Sequence, residues 1–190
     1  MTSKPSISKY FIALVPPSPI REQAQQWKEY FKVEFNSKAA LNSPPHITLH
    51  MPFEWKSSKE NILLEQLAAF AQTQKKFDVE LKNFGCFAPR VIFIQVTESR
   101  ELKTLQSGLA RFCKTKLNLF NANRLDQPYH PHLTLAFRDL KKTNFPKAWA
   151  FVKDLNFHAR FPCSELVLLK HDGNGWQPSK TFELSRSAEW

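Results

Sequence analysis

The chain has 190 residues, 42% of them hydrophobic with 17 Phe and 5 Trp, and only 4 Gly, which suits one folded unit or two small lobes sharing an interface and argues against long linkers or a Gly-rich phosphate cradle. A formal charge of +10 raises the local concentration of polyanions, so nucleic acid or phosphorylated compounds are expected partners, although an ordinary basic soluble protein carries the same charge. Cys86, Cys113 and Cys163 are widely spaced and show no CxxC pairing, which points to reduced thiols in a cytoplasm and away from a disulfide scaffold or a zinc knuckle.

The first apolar run is YFIALV, Tyr10 to Val15, a buried strand stopped by Pro16 and Pro17. No small-residue cleavage site accompanies it and no stretch approaches about 18 apolar residues, so neither a secretion signal nor a membrane span is expected. Ser18 and Pro19 read as an N-cap and first helical position, after which Ile20, Ala24, Trp27, Tyr30 and Phe31 recur at helical spacing. A polar loop from Asn36 to Pro45 leads into the alternating strand HITLHM. Ser58 to Thr73 then carries Ile62, Leu63, Leu67, Phe70 and Ala71 on a helical face, and Phe77 to Phe84 alternates as a strand.

The second half repeats this order. VIFIQV, Val91 to Val96, is a strand, and Glu101 to Leu117 is a helix with Leu102, Leu105, Leu109, Phe112 and Cys113 on one side. A loop from Asn121 to Pro131 opens into HLTLAF. Phe145 to Leu155 is helical, and Phe157 to Phe161, Glu165 to Lys170 and Thr181 to Leu184 close the chain as strands. His46 follows Val15 by 31 positions and His132 follows Val96 by 36, each interval holding one helix and one loop before the same His-apolar-Thr-apolar strand. The order indicates a divergent internal duplication, and two copies make a two-lobed domain, not a solenoid.

The two segments are Pro45-His46-Ile47-Thr48-Leu49 and Pro131-His132-Leu133-Thr134-Leu135. Side chains alternate along a strand, so His46 and Thr48 share one face and His132 and Thr134 share another, each opposite apolar neighbours that face a core. From this chain's own composition the pattern should arise by chance only about 0.05 times. Histidine titrates near neutrality, so one imidazole can take a proton from water while a second gives one to a leaving oxygen. Threonine hydroxyls can donate to non-bridging phosphate oxygens and stabilise transition-state charge. The arrangement requires no metal.

With these segments in their context QPYHPHLTLAF, and with the YFIALV strand and the closing strands, the chain resembles the 2H phosphoesterases, particularly their bacterial 2′-5′ RNA ligase-like and cyclic phosphodiesterase branch. The resemblance implies an α+β fold, a single domain over 1–190 with two pseudo-symmetric lobes, each an antiparallel sheet flanked by helices, around a central cleft. It implies hydrolysis of 2′,3′-cyclic phosphates or 2′-5′ linked RNA or nucleotide ends with no cofactor, by a monomer. His46 and His132 take the catalytic role and Thr48 and Thr134 the phosphate-binding role. Arg138, slightly beyond the usual place, is the basic residue after the second motif.

Phe53, Trp55 and Tyr129 are candidates for stacking on a base at the cleft mouth, against the alternative that each is core or rim packing. Lys141, Lys142, Lys147 and Lys153 either extend a positive surface toward longer RNA or form a solvated helix face. His158 and His171 read as structural. A metal site is a rival reading, because alternation places His50 with His46 and His130 with His132, giving four imidazoles that could converge. A non-catalytic RNA-end or nucleotide binder is the other rival.

Overall fold

Residues 6–122 and 128–185 are described by the computed structural model; positions 123–127 of the expected Asn121–Pro131 loop lie outside them. The strands are β1 (Ile7–Leu14), β2 (Ile47–Lys56), β3 (Phe77–Phe87), β4 (Val91–Val96), β5 (His132–Ala136), β6 (His158–Cys163), β7 (Glu165–His171) and β8 (Trp176–Glu183). Between them lie α1 (Ile20–Phe35), α2 (Glu60–Gln72), α3 (Arg100–Lys116) and α4 (Phe145–Val152). The strands form one antiparallel, curled sheet in the order β6-β3-β4-β5-β2-β1-β7-β8.

The repeat legible in the sequence is β1-α1-β2 against β4-α3-β5. The sheet therefore has two four-stranded halves, β2-β1-β7-β8 and β5-β4-β3-β6, which meet where Ile47 of β2 pairs with Leu133 of β5. The helices cross this junction: α1 packs on β5 and α3 packs on β2. Each half thus buries its helix on the other, which ties the halves into one unit.

Period-two alternation separates the two faces of the sheet. Tyr10, Ile12, Leu14, Ile47, Leu49, Leu133 and Leu135 join Phe31, Leu67, Leu105 and Leu109 in the core beneath the helices. Each such large apolar side chain contributes roughly 1.5–3 kcal/mol by leaving water. On the opposite face Phe11, Ala13, Val167 and Leu169 form a second buried cluster with Val15 and Trp176 packed against it. A strand buried on both sides reads as a continuous apolar run, and this is why YFIALV shows no alternation.

Several elements differ from their expected limits. Pro19 occupies the N-cap of α1 and the helix starts at Ile20, so Ser18 is not its cap. The register of β2 against β1 shifts between Tyr10 and Ile12 and again between Ile12 and Ala13. Extra residues at these bulges carry β2 past Pro52 to Lys56 and break the strict alternation. β8 begins at Trp176, earlier than Thr181, because an edge strand accommodates Pro178. Ser99 caps α3 by accepting the Leu102 N–H at 3.1 Å, worth about 1 kcal/mol. Among the described residues no helix is long and apolar enough to cross a membrane. The three cysteines are unpaired, and burial pushes the Cys113 and Cys163 thiols up to about 12.

Candidate active site

The pairing of Ile47 with Leu133 sets the site. In an antiparallel ladder with that register, His46 lies across from Thr134 and Thr48 across from His132. Ile47 and Leu133 are fully buried, pointing into the helix-side core, so the four polar side chains belong to the opposite face of the sheet. Both histidines and both threonines are half-buried. The two motifs, 86 positions apart in the chain, are thereby one constellation at the junction of the halves.

The two imidazoles are held in the same way. His46 Nδ1 lies 2.7 Å from the Pro44 carbonyl and His132 Nδ1 lies 2.8 Å from the His130 carbonyl. A carbonyl only accepts, so each neutral ring carries its proton on Nδ1 and leaves Nε2 as a lone pair. Among the described residues neither Nε2 nor either threonine hydroxyl has a hydrogen-bond partner. All four groups are available to a ligand.

Burial lowers the His46 imidazole to about 4, helped by the positive charge of Lys28 and, less, by His132, and opposed by the Pro44 carbonyl. The His132 imidazole is also lowered, chiefly by burial, with the His130 carbonyl opposing and the His130 charge adding. The His132 charge acting on His46 is the electrostatic sign that the two rings share one site. Both are neutral at pH 7, and a bound anion would favour returning a proton to one of them.

Aromatic walls stand on either side. Phe11 packs on His46 at 4.8 Å between ring centroids and is itself backed edge-on by Trp176. On the other half, Phe93 and Phe87 lie 5.1 and 5.2 Å from His132. A Cβ at Gly85 would come within 2.5 Å of the Phe93 ring, so the absent side chain is what lets that ring lie against the sheet. These phenylalanines were not singled out in the sequence. The signal for Phe11 was the unbroken apolar run of β1, which requires something to cover its second face.

A family model for the 2′-5′ RNA ligase superfamily matches residues 16–175, which span both motifs. The chain belongs to this superfamily. It is 27% identical over 92% of its length to a protein of Geobacillus sp. (strain WCH70) assigned by name to the phosphoesterases, covering 95% of that relative. Among solved structures it resembles E. coli LigT complexed with 3′-AMP, with a TM-score of 0.68 at 23% identity, covering 94% of this chain and 99% of that one. TT0787 of Thermus thermophilus gives a TM-score of 0.70 at 19% identity with the same coverage.

The other candidate residues of this superfamily member divide. Tyr129 donates its hydroxyl to the Thr48 carbonyl at 3.1 Å and packs against the core, so it ties the second motif's approach to the first motif's strand. Phe53 is buried against Tyr10 and His50, away from the cleft mouth expected for it. The indole of Trp55 donates to the Lys59 carbonyl at 2.8 Å, in the same strand-to-helix turn. Arg138 is exposed; its guanidinium lies over Phe137, and its carbonyl accepts a hydrogen bond from Arg90.

The four imidazoles of the metal reading do not converge. His50 is fully buried with Nδ1 on the Met51 carbonyl and its ring against Phe53, because the β2 bulges turn it into the helix-side core. Among the described residues no group of three or more His, Cys, Asp or Glu side chains is placed to hold a metal ion. His158 pairs with Glu80 at 2.9 Å, and His171 accepts the Gly173 N–H in a turn, both structural roles. α4 packs through Phe151 on Trp27 and Tyr30 of α1, on the helix side of the sheet, so Lys147 and Lys153 at its ends belong to a solvated helix surface.

Proposed function

We propose that the chain is a phosphoesterase that hydrolyses 2′,3′-cyclic phosphates or 2′-5′ linked ends of RNA or small nucleotides, with His46 and His132 as the general acid and base pair. The observation that carries this reading is the pair of Nδ1-anchored imidazoles whose Nε2 atoms have no partner among the described residues, set across from two threonine hydroxyls that likewise have none there, on the central strand pair. Such a group offers two proton-transfer centres and two neutral donors for non-bridging oxygens.

For a cyclic phosphate, one imidazole takes a proton from water as its oxygen bonds to phosphorus. The bond from phosphorus to one ribose oxygen breaks, and that oxygen receives a proton from the other ring, which enters the step as an imidazolium and leaves it neutral, while the first ring ends the step protonated. The product is a phosphomonoester on the remaining oxygen. Thr48 and Thr134 hold the phosphoryl oxygens, and the anionic substrate itself raises the affinity of the acid imidazole for its proton. No cofactor enters this scheme, and all four groups come from one chain, so a monomer suffices. Three unpaired thiols suit a reducing cytoplasm. That E. coli LigT has been crystallised with 3′-AMP and with phosphate supports nucleotide-type ligands for this chain. Arg138, exposed and close in sequence to Thr134, is the proposed cationic contact for a substrate phosphate.

The test is to incubate the purified protein with 2′,3′-cyclic nucleotides and a 2′-5′ linked dinucleotide, with and without a chelator, and to identify the phosphate isomer released. Chelator-resistant production of one phosphomonoester is expected. Tight binding without turnover would leave recognition alone, and chelator-sensitive turnover would return the metal reading.

A further inference from the structure

α1 turns the side of Ile20, Ala24 and Phe31 into the core, and Lys28 shares that side with only 1% of its surface exposed. Its ammonium donates to the Ala40 carbonyl and to the Ser43 carbonyl, both at 2.9 Å. No carboxylate pairs with it among the described residues. Burial with no anion beside it lowers the Lys28 amino group to about 7, which is the expression of how unfavourable a charge is there, and filling the space needs no polar group. What the amino group does here is grip two carbonyls of the segment leading into the first motif.

That segment is braced from both ends. At its start the Asp139 carboxylate, reached from just beyond β5, accepts the Ser37 hydroxyl at 2.9 Å and the Lys38 and Ala39 N–H groups at 2.8 and 2.9 Å. At its end stands Lys28. On its outer side Gly175 packs so closely that a Cβ there would lie 2.9 Å from the Asn42 carbonyl oxygen. Immediately after Ser43 come Pro44 and Pro45, whose rings restrict the backbone. The direction of the Pro44 carbonyl, which accepts the His46 Nδ1–H, is therefore tied to where the Ser43 carbonyl is held. His132 takes its anchor from the His130 carbonyl instead, so the device serves one imidazole of the pair.

We propose that Lys28 is a positioning residue for His46: by holding the Ala40 and Ser43 carbonyls, its buried amino group fixes the Pro44 carbonyl that sets the ring's orientation and tautomer. When Lys28 is protonated, its charge is second only to burial among the causes that lower the His46 imidazole. The catalytic consequence rests on the function proposed above, whereas the effect on the ring does not.

The experiment compares wild type with Lys28→Met, which keeps the stem and removes the donors, and Lys28→Gln, which keeps an amide donor at shorter reach. Imidazole nitrogen NMR reads the tautomer and titration of His46 and His132 in each folded protein, and steady-state kinetics follows with a 2′,3′-cyclic nucleotide. In Lys28→Met the His46 signals should leave the Nδ1–H pattern and its pKa should rise, while the His132 signals stay. Turnover should fall about 10- to 100-fold with KM changed less than about threefold, and Lys28→Gln should be intermediate. Unchanged His46 signals in a folded Lys28→Met overturn the proposal, as do equal changes at His132 or a loss of folding in both variants, which would make Lys28 a residue of the fold alone. Altered His46 signals with no turnover in any form, wild type included, would uphold the positioning and remove the proposed reaction.

Discussion

Lowering the pH should weaken the fold through His46 in particular. Its imidazole, ordinarily near 6.5, is held at about 4 by burial and by the Lys28 charge, so the folded protein binds the neutral ring better than the unfolded chain does. The unfolded state takes up the proton first as pH falls, and stability from this residue is fully present above pH 6.5 and lost progressively as pH falls toward 4. A shift of this size corresponds to at most about 3 kcal/mol, and the ring's partial contact with solvent reduces that to about 1–3 kcal/mol. The comparison is wild type against His46→Asn, whose amide nitrogen replaces Nδ1 on the Pro44 carbonyl without titrating. Urea unfolding at steps from about pH 7.5 to about 4.5 gives the stability difference, in which groups that do not act on His46, such as His50 and the surface carboxylates, cancel, while Lys28, lowered to about 7 by burial, and His132 enter through their charges on that ring. The difference should shrink by about 1–3 kcal/mol across that range. A difference constant to within about 0.5 kcal/mol would refute the electrostatic account of the site.

The same shifts act on turnover. With both imidazoles depressed, the singly protonated pair that acid–base chemistry needs is most populated on the acid side of about 6.5, so kcat/KM should peak there and decline toward higher pH; a maximum above about pH 8 would contradict this. Thr48→Val and Thr134→Val should each lower kcat by about 10²-fold, since each removes one neutral donor to the phosphoryl group, with unfolding midpoints close to wild type. Tyr129→Phe removes the bond to the Thr48 carbonyl and should cost about 1 kcal/mol in urea unfolding.

The meeting of the two motifs was legible because His46, just ahead of β2, and His132, first in β5, each open an alternating His-apolar-Thr-apolar pattern, and alternation decides which side chains share a face. The helices were legible from their apolar stripes for the same reason. His50 escaped that logic. An inserted residue in β2 reverses the faces, and a bulge is set by the partner strand's register, which a single strand's sequence does not contain. β8 starts at Trp176, before the expected Thr181, because it lies at the sheet edge, where Pro178 is tolerated, and edge position is not contained in the sequence of one strand. Phe53 looked like a cleft aromatic for want of that same register. Lys28 left a trace: it is a charge within the buried stripe of Ile20, Ala24 and Phe31, and only the carbonyls that meet it give the charge a purpose.

The proposed reaction requires two distant His-x-Thr segments to act as one catalytic unit. Turnover of a 2′,3′-cyclic nucleotide by His46→Ala, His132→Ala and the double variant tests it most directly. Each single variant should lose about 10² to 10⁴ in rate while remaining folded, and the double variant should be little slower than the worse single, because removing either member already disables the pair. Wild-type rates in either single variant, or losses that multiply in the double, would contradict a shared site.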